Sequence, residues 1–312
     1  MKDDEILNVV EQMSEEEYLY NEELKCYTNE GSPSDLSYER VRQLKDANML
    51  PILNTLLDKV KQAEQKQHLY FMIGTIGVNL GDVRAGMLLL EKLEQETKPI
   101  FLESILEELA KQQYIYDAEQ IVKYIDDSRS SVREAAIQAL RVCRGEIAED
   151  ALIRLITTSN NSFDIMSANF VLATIGTERA VPYLIPLLDH SRGDVRHSAL
   201  AALSELGNGL DLSIFLHGLK DRFSKVREYA LVAIERHGDE VAIEPVIKRL
   251  QTLLKRTRQI QTDEVLIAFR FLHRYQHSHQ AIPKLFHWII QTKREVLFDE
   301  EWQWLEDHFT CY

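Results

Sequence analysis

Three stretches decide the fold: IVKYIDDSRSSVREAAIQAL (121–140), YLIPLLDHSRGDVRHSALAALSELG (183–207) and FLHGLKDRFSKVREYALVAIERHG (215–238). Each reads as an apolar helix, then a short polar turn containing Asp, then Val-Arg-x-x-Ala-x-x-Ala closed by Leu or Ile. The Val-Arg pairs stand at Val132-Arg133, Val195-Arg196 and Val226-Arg227, separated by 63 and 31 positions, so one more unit must lie between the first two. MSANFVLATIG (166–176) supplies it, with Ala168 and Leu172 placed 31 residues before Ala199 and Leu203. The other helix keeps step: Ala118, Ala180 and Ala242 open AEQIVKYI, AVPYLIPLL and AIEPVIKRL. Self-similarity at a fixed period of this size is the signature of a repeat array.

The spelling of each unit follows from helix geometry. Val132, Ala136, Ala139 and Leu140 fall at i, i+4, i+7 and i+8, one stripe of a 3.6-residue helix. The alanines let neighbouring helices approach, and Leu or Ile fills the gap between layers. Pro182 and Pro245 sit in a first helical turn, where a missing N–H is harmless. Gly176, Gly207 and Gly238 follow the second helices as stop residues. A lone helix pair cannot bury its apolar faces, so the units must stack.

The pattern D-x₄₋₅-V-R-x-x-A-x-x-A-L, followed by Leu/Ile-Gly and then A-x-P-x-L, resembles the short HEAT-like repeat also found in phycobilisome-lyase-type proteins. The resemblance covers about residues 116–250 and implies an all-α fold: a right-handed α-solenoid of roughly eight helix pairs, with axes about 8–10 Å apart. It says little about function, because such repeats serve scaffolds, adaptors and a few enzymes. The expected organisation is an acidic N-terminal cap or arm (1–35), divergent helical repeats (36–115), the clear 31-residue repeats (116–250), and a divergent repeat with a basic insertion and capping helices (251–312). Helices are expected at 36–47, 50–66, 67–79, 82–96 and 99–112. Residues 14–37 read as a cap followed by an irregular segment.

Composition agrees with long helices: Gly (12) and Pro (7) are scarce among 312 residues, and 45% are apolar. Cys26, Cys143 and Cys311 form no CxxC motif and read as reduced thiols. No apolar run of membrane-spanning length occurs, and the first residues lack a signal layout, so a cytoplasmic protein is expected. The net charge of −14 is unevenly spread. Residues 1–30 carry ten acids against two bases, residues 245–294 ten bases against two acids, and the tail is acidic again. An acidic chain is a poor general nucleic-acid binder, although the basic stretch leaves that chemistry open locally.

Several residue sets are candidates for function. Arg133, Arg196 and Arg227 either hold acceptors in the inter-helix turns or form a row of bases for an acidic partner. The intermediate repeat puts Asp164 or Ile165 in the Arg slot, and with Asp164 there Arg133–Asp164–Arg196 would make an inter-repeat charge ladder. Lys248, Arg249, Lys255, Arg256, Arg258, Arg270 and Arg274 form a basic patch, read as a solvated face or as a dock for an acidic protein or phosphates. His273 and His277 have i, i+4 spacing, but no acidic ligand matches it, so no metal and no cofactor are expected. Deoxyhypusine-hydroxylase-like enzymes on similar repeats use His-Glu dipeptides, and this sequence has none. The glycines of IGTIGVNLG (Gly74, Gly77, Gly81) match no phosphate loop and point to close helix packing or a helix end. Trp302, Leu305 and Phe309 share one face, suited to capping the last repeat, with Trp304 off it as a cap residue or interface anchor.

The second helix of each pair is expected to line the concave face. Its outward residues Glu134, Gln138, Arg141, His197, Ser204, Glu228 and Glu235 are the candidate partner-binding set. With no nucleophile–base pair in view, the expectation is a non-catalytic scaffold or adaptor whose partner is another protein, or an inhibitor/immunity-type protein with a blocking acidic surface. The alternative is a nucleic-acid-binding HEAT-like enzyme of the DNA-glycosylase type. A lyase-type role on a tetrapyrrole follows only from the resemblance, and no residue speaks for it.

Overall fold

The computed structural model describes the whole chain except residues 16, 116, 207–208 and 310–312, so Glu16, Gly207 and Cys311 of the sequence reading lie outside the described residues. The fold is all-α, a solenoid of short helix pairs, with 18 α-helices among the described residues. It divides into two compact units, 1–159 and 160–312, and this division falls inside the 116–250 repeat block.

The first unit holds α1 (Asp3–Met13), α2 (Pro33–Arg42), α3 (Leu50–Lys59), α4 (Ala63–Leu80), α5 (Val83–Gln95), α6 (Pro99–Ala110), α7 (Glu119–Val122), α8 (Ser130–Ala139) and α9 (Glu146–Thr158). Helices α4, α6 and α8 pack side by side as the second members of successive pairs, with α3, α5 and α7 behind them. Local chemistry sets the boundaries. Ser32 caps α2 by accepting from the Asp35 N–H at 3.1 Å, with Pro33 at its first position. Asp82 caps α5, and Gly81 ends α4 in the left-handed region (φ 62°), which suits a residue without Cβ.

The acidic N-terminus begins with a packed helix. Ile6, Val9, Val10 and Met13 of α1 are buried against α2 and α4, while Asp3, Asp4 and Glu5 sit in its first turn, where the helix dipole favours them. Within the segment expected to be irregular, β1 (Leu19–Asn21) and β2 (Cys26–Thr28) form an antiparallel hairpin, and α2 starts at Pro33. Strand-favouring tyrosines on either side of a turn in which Lys25 takes a left-handed conformation (φ 53°) explain the difference.

The second unit holds α10 (Ser162–Ile175), α11 (Val181–Leu184), α12 (Gly193–Leu206), α13 (Ser213–Gly218), α14 (Ser224–His237), α15 (Ile243–Leu253), α16 (Glu264–His273), α17 (Ala281–Thr292) and α18 (Asp299–Phe309). Here α10, α12, α14 and α16 form the continuous row. The signature residues are its core: Val195, Ala199, Ala202, Leu203, Ala230, Ala233 and Ile234 are fully buried. Gly176 and Gly238 do follow α10 and α14, but in extended rather than left-handed conformation.

At the C-terminal end the two tryptophans of α18 have different surroundings. Trp304 packs on Phe269 and Phe286 (centroids 5.3 and 6.1 Å) and stacks on His308, so it belongs to the cap. Trp302 instead lies against the Arg294 guanidinium and donates to Glu306. The helix carrying His273 ends at that residue, so the i, i+4 relation to His277 is not maintained.

Candidate partner-binding surface

The Val-Arg arginines share one geometry. Each Nη1 donates to two carbonyls of its own inter-helix turn: Arg133 to Asp127 and Ser128, Arg196 to His190 and Ser191, Arg227 to Asp221 and Arg222, at 2.8–3.2 Å. These are orphan carbonyls that the turn cannot satisfy itself. Arg196 does more. Its Nε and Nη2 grip both oxygens of Asp221 in the next repeat at 2.7 Å, a bidentate pair that holds the Asp221 carboxyl below the ordinary aspartate range. The carboxylate partner of Arg196 is thus one repeat onward, in the turn that also feeds Arg227. Arg227 has no carboxylate within salt-bridge distance among the described residues, and its buried Nε lacks an acceptor. Asp164 is buried in α10.

The basic patch is much less free than its sequence suggests. Arg249 binds Glu264 through Nε and Nη2 (2.9 and 2.5 Å), and Glu264 is almost fully buried. Arg258 closes on buried Glu301, with Nη1 to Oε1 at 2.8 Å. Arg270 pairs with Glu235 at 2.6 Å, and Arg274 lies over the Phe271 and Tyr275 rings. Lys248 borders a pocket of about 560 Å³ with Lys220, Glu244 and Arg249. Lys255 and Arg256 are exposed.

The concave-face candidates divide three ways. Glu134, Gln138 and Arg141 come together with Glu103, Glu107 and Lys111 of the preceding pair around an open groove of about 460 Å³ between α6 and α8. Glu103 also accepts a hydrogen bond from Ser131 across the two helices. His197 is half-buried in an aromatic ladder, with Phe170 on one side (5.8 Å) and Tyr229 on the other (4.3 Å). Burial pushes its pKa down, Lys225 adds to this, and Glu228 and Asp194 oppose it. Ser204 is buried and its carbonyl meets His237, so it faces no partner, and Glu228 and Glu235 are engaged by Lys225 and Arg270. Sequence reading missed Glu103, Glu107 and the aromatic ladder, because α6 lacks the Val-Arg signature and the ladder runs diagonally across repeats.

No group of three or more His, Cys, Asp or Glu is placed to hold a metal ion among the described residues. Cys26 and Cys143 are unpaired, and burial raises the Cys143 thiol to about 12. No helix among the described residues is long and apolar enough to cross a membrane.

No protein-family model matches the sequence, and no curated protein matches it. Solved structures do. YibA of Escherichia coli is 17% identical over 91% of this chain and 99% of its own, with a TM-score of 0.55. The complex of CpcE and CpcF of phycocyanin lyase from Nostoc is 18% identical over 80% of this chain and 97% of that one, with a TM-score of 0.45. The fold is that of the HEAT-like repeat proteins.

Proposed function

We propose that the chain is a non-catalytic repeat scaffold that binds another protein along the row of second helices, with the groove between α6 and α8 as its principal contact. One observation carries the reading: the groove gathers Glu103, Glu107, Glu134, Lys111 and Arg141 from two successive repeats around open space. Charges of both signs at fixed spacing read a complementary surface and select against wrong partners. Solenoids use such extended faces for protein recognition. Within this class the acidic surface suits an inhibitor or immunity-type role against a basic protein as well as an adaptor role.

Support for the nucleic-acid alternative is weaker than the sequence suggests, because Arg249, Arg258 and Arg270 are spent on internal carboxylates. The test is capture from a cell extract by the intact chain and by a Glu103→Lys/Glu107→Lys/Glu134→Lys variant whose circular dichroism is unchanged. A stoichiometric protein held by the wild type and lost by the variant is the expected result. Salt-sensitive retention of nucleic acid, abolished by Lys255→Ala/Arg256→Ala, would replace this reading with the alternative.

A further inference from the structure

The hairpin β1–β2 is built unlike the rest of the surface. Tyr18, Leu19, Tyr20, Leu24 and Tyr27 are each 40–71% exposed, a concentration of large apolar side chains within ten residues. Exposed apolar clusters of this kind mark contact sites. Tyr20 and Tyr27 face each other across the strands, edge to face at 5.3 Å, a rigid pair of the type that anchors interfaces. Neither strand has a second neighbour among the described residues: the sheet is two-stranded, so both outer edges present unpaired backbone groups. Natural proteins normally blunt such edges with lysine, proline or a covering element. The exposed charges of residues 17–30 are Glu17, Glu22, Glu23 and Glu30 against Lys25 alone.

We propose that this hairpin is a docking site that accepts an extended, lysine- or arginine-bearing strand from a partner protein along an open edge. Backbone pairing to the edge supplies affinity, the tyrosines and Leu24 take alternate apolar side chains, and the glutamates select a basic strand. Charge decides the occupant. A second copy of this chain is disfavoured, since each copy carries −14 and three arginines of its basic stretch are already neutralised by Glu264, Glu301 and Glu235. A basic strand from a different protein meets both the apolar pair and these glutamates. The proposal rests on the reading of the chain as a protein-binding scaffold, but at a surface separate from the α6–α8 groove.

The experiment is fluorescence anisotropy with the full chain and a labelled peptide of alternating lysine and valine. The wild type is expected to bind with an affinity that falls as salt rises. Tyr20→Ser/Tyr27→Ser and Glu22→Lys/Glu23→Lys should each weaken binding by about tenfold or more, an effect of interface-anchor size. The same peptide N-methylated at every residue, which leaves no N–H to pair along the edge, should bind at least about tenfold more weakly. The groove variant Glu103→Lys/Glu107→Lys/Glu134→Lys should bind the peptide as the wild type does, which separates failure here from failure of the groove reading. Four results overturn the proposal: no binding, indifference to the hairpin substitutions, equal loss in the groove variant, or equal binding of the N-methylated peptide. Sedimentation that reveals a dimer abolished by Tyr20→Ser/Tyr27→Ser would assign the hairpin to self-association instead and overturn it as well.

Discussion

Helices α4 and α6 of the first unit and α12 and α14 of the second meet the same demand, close approach of neighbouring second helices, by different chemistry. Along α12 and α14 the small residues are alanines, with Ala199, Ala202, Ala230 and Ala233 all fully buried, and the repeats are tied at the turn by Arg196 and Asp221. Between α4 and α6 the small residues are Gly74 and Gly77, and what lies on them is polar. A Cβ on Gly74 would meet the Glu108 side chain, whose own Cβ would be 2.9 Å away. One on Gly77 would meet Gln112, and Ala85 at 2.8 Å. Gln112 uses this closeness to donate to the Gly74 and Glu108 carbonyls at 3.2 and 2.8 Å. Burial raises the Glu108 pKa, opposed by its bond to Lys111. The lesson is that one interhelical distance has two spellings, and only the alanine one repeats visibly.

The comparison breaks most sharply at Arg196. Its side chain is 7% exposed and that of Asp221 14%, so Arg196→Ala leaves a largely buried carboxylate without its cation and should cost about 3 kcal/mol in urea unfolding. Arg227→Ala loses two carbonyl contacts but no carboxylate, and should cost only about 1 kcal/mol. Equal costs would show that the inter-repeat ion pair does not distinguish the two positions.

Gly74→Ala comes next, expected to cost about 2 kcal/mol because α6 must move or Glu108 must be displaced. An unchanged denaturant midpoint would mean that α4 and α6 do not pack this closely. Alanine in place of glycine inside a helix otherwise stabilises by about 1 kcal/mol, so the sign of the change is itself the readout.

The smallest effect is on pH dependence. His197 titrates below the ordinary 6.5 because burial disfavours its cation. As pH falls through 6.5 the unfolded chain takes up the proton first, so stability declines from there and levels off below the folded-state value. His68, held between the Tyr38 and Ser14 hydroxyls in the first unit, is lowered by burial in the same sense. His197→Gln should flatten part of the slope of stability against pH on the acid side of 6.5, and His68→Gln another part. A slope that neither substitution alters would remove burial of these imidazoles as its cause.

How far the surface was legible follows from the range of each interaction. Glu134, Gln138 and Arg141 could be placed on one helix face from i, i+4 and i+7 spacing, and they do share a groove. Ser204 carried the same kind of forecast and is buried, because the face of α12 that covers it depends on where α14 lies. The basic stretch misled for a similar reason. Arg249, Arg258 and Arg270 find their acids 15, 43 and 35 residues away, and no local pattern announces such partners.

The sequence by itself determined the repeat: its 31-residue period, the apolar stripe of each second helix, and the prolines and glycines that start and stop helices. Those are local properties, fixed by helix geometry and by which backbone groups a turn leaves unsatisfied. Only the tertiary structure decided which charges stay available, that Gly74 and Gly77 stand in for alanine, and that the acidic start is a packed helix followed by a hairpin with open edges. These depend on how elements far apart in the chain are brought face to face, which spacing within one helix cannot specify.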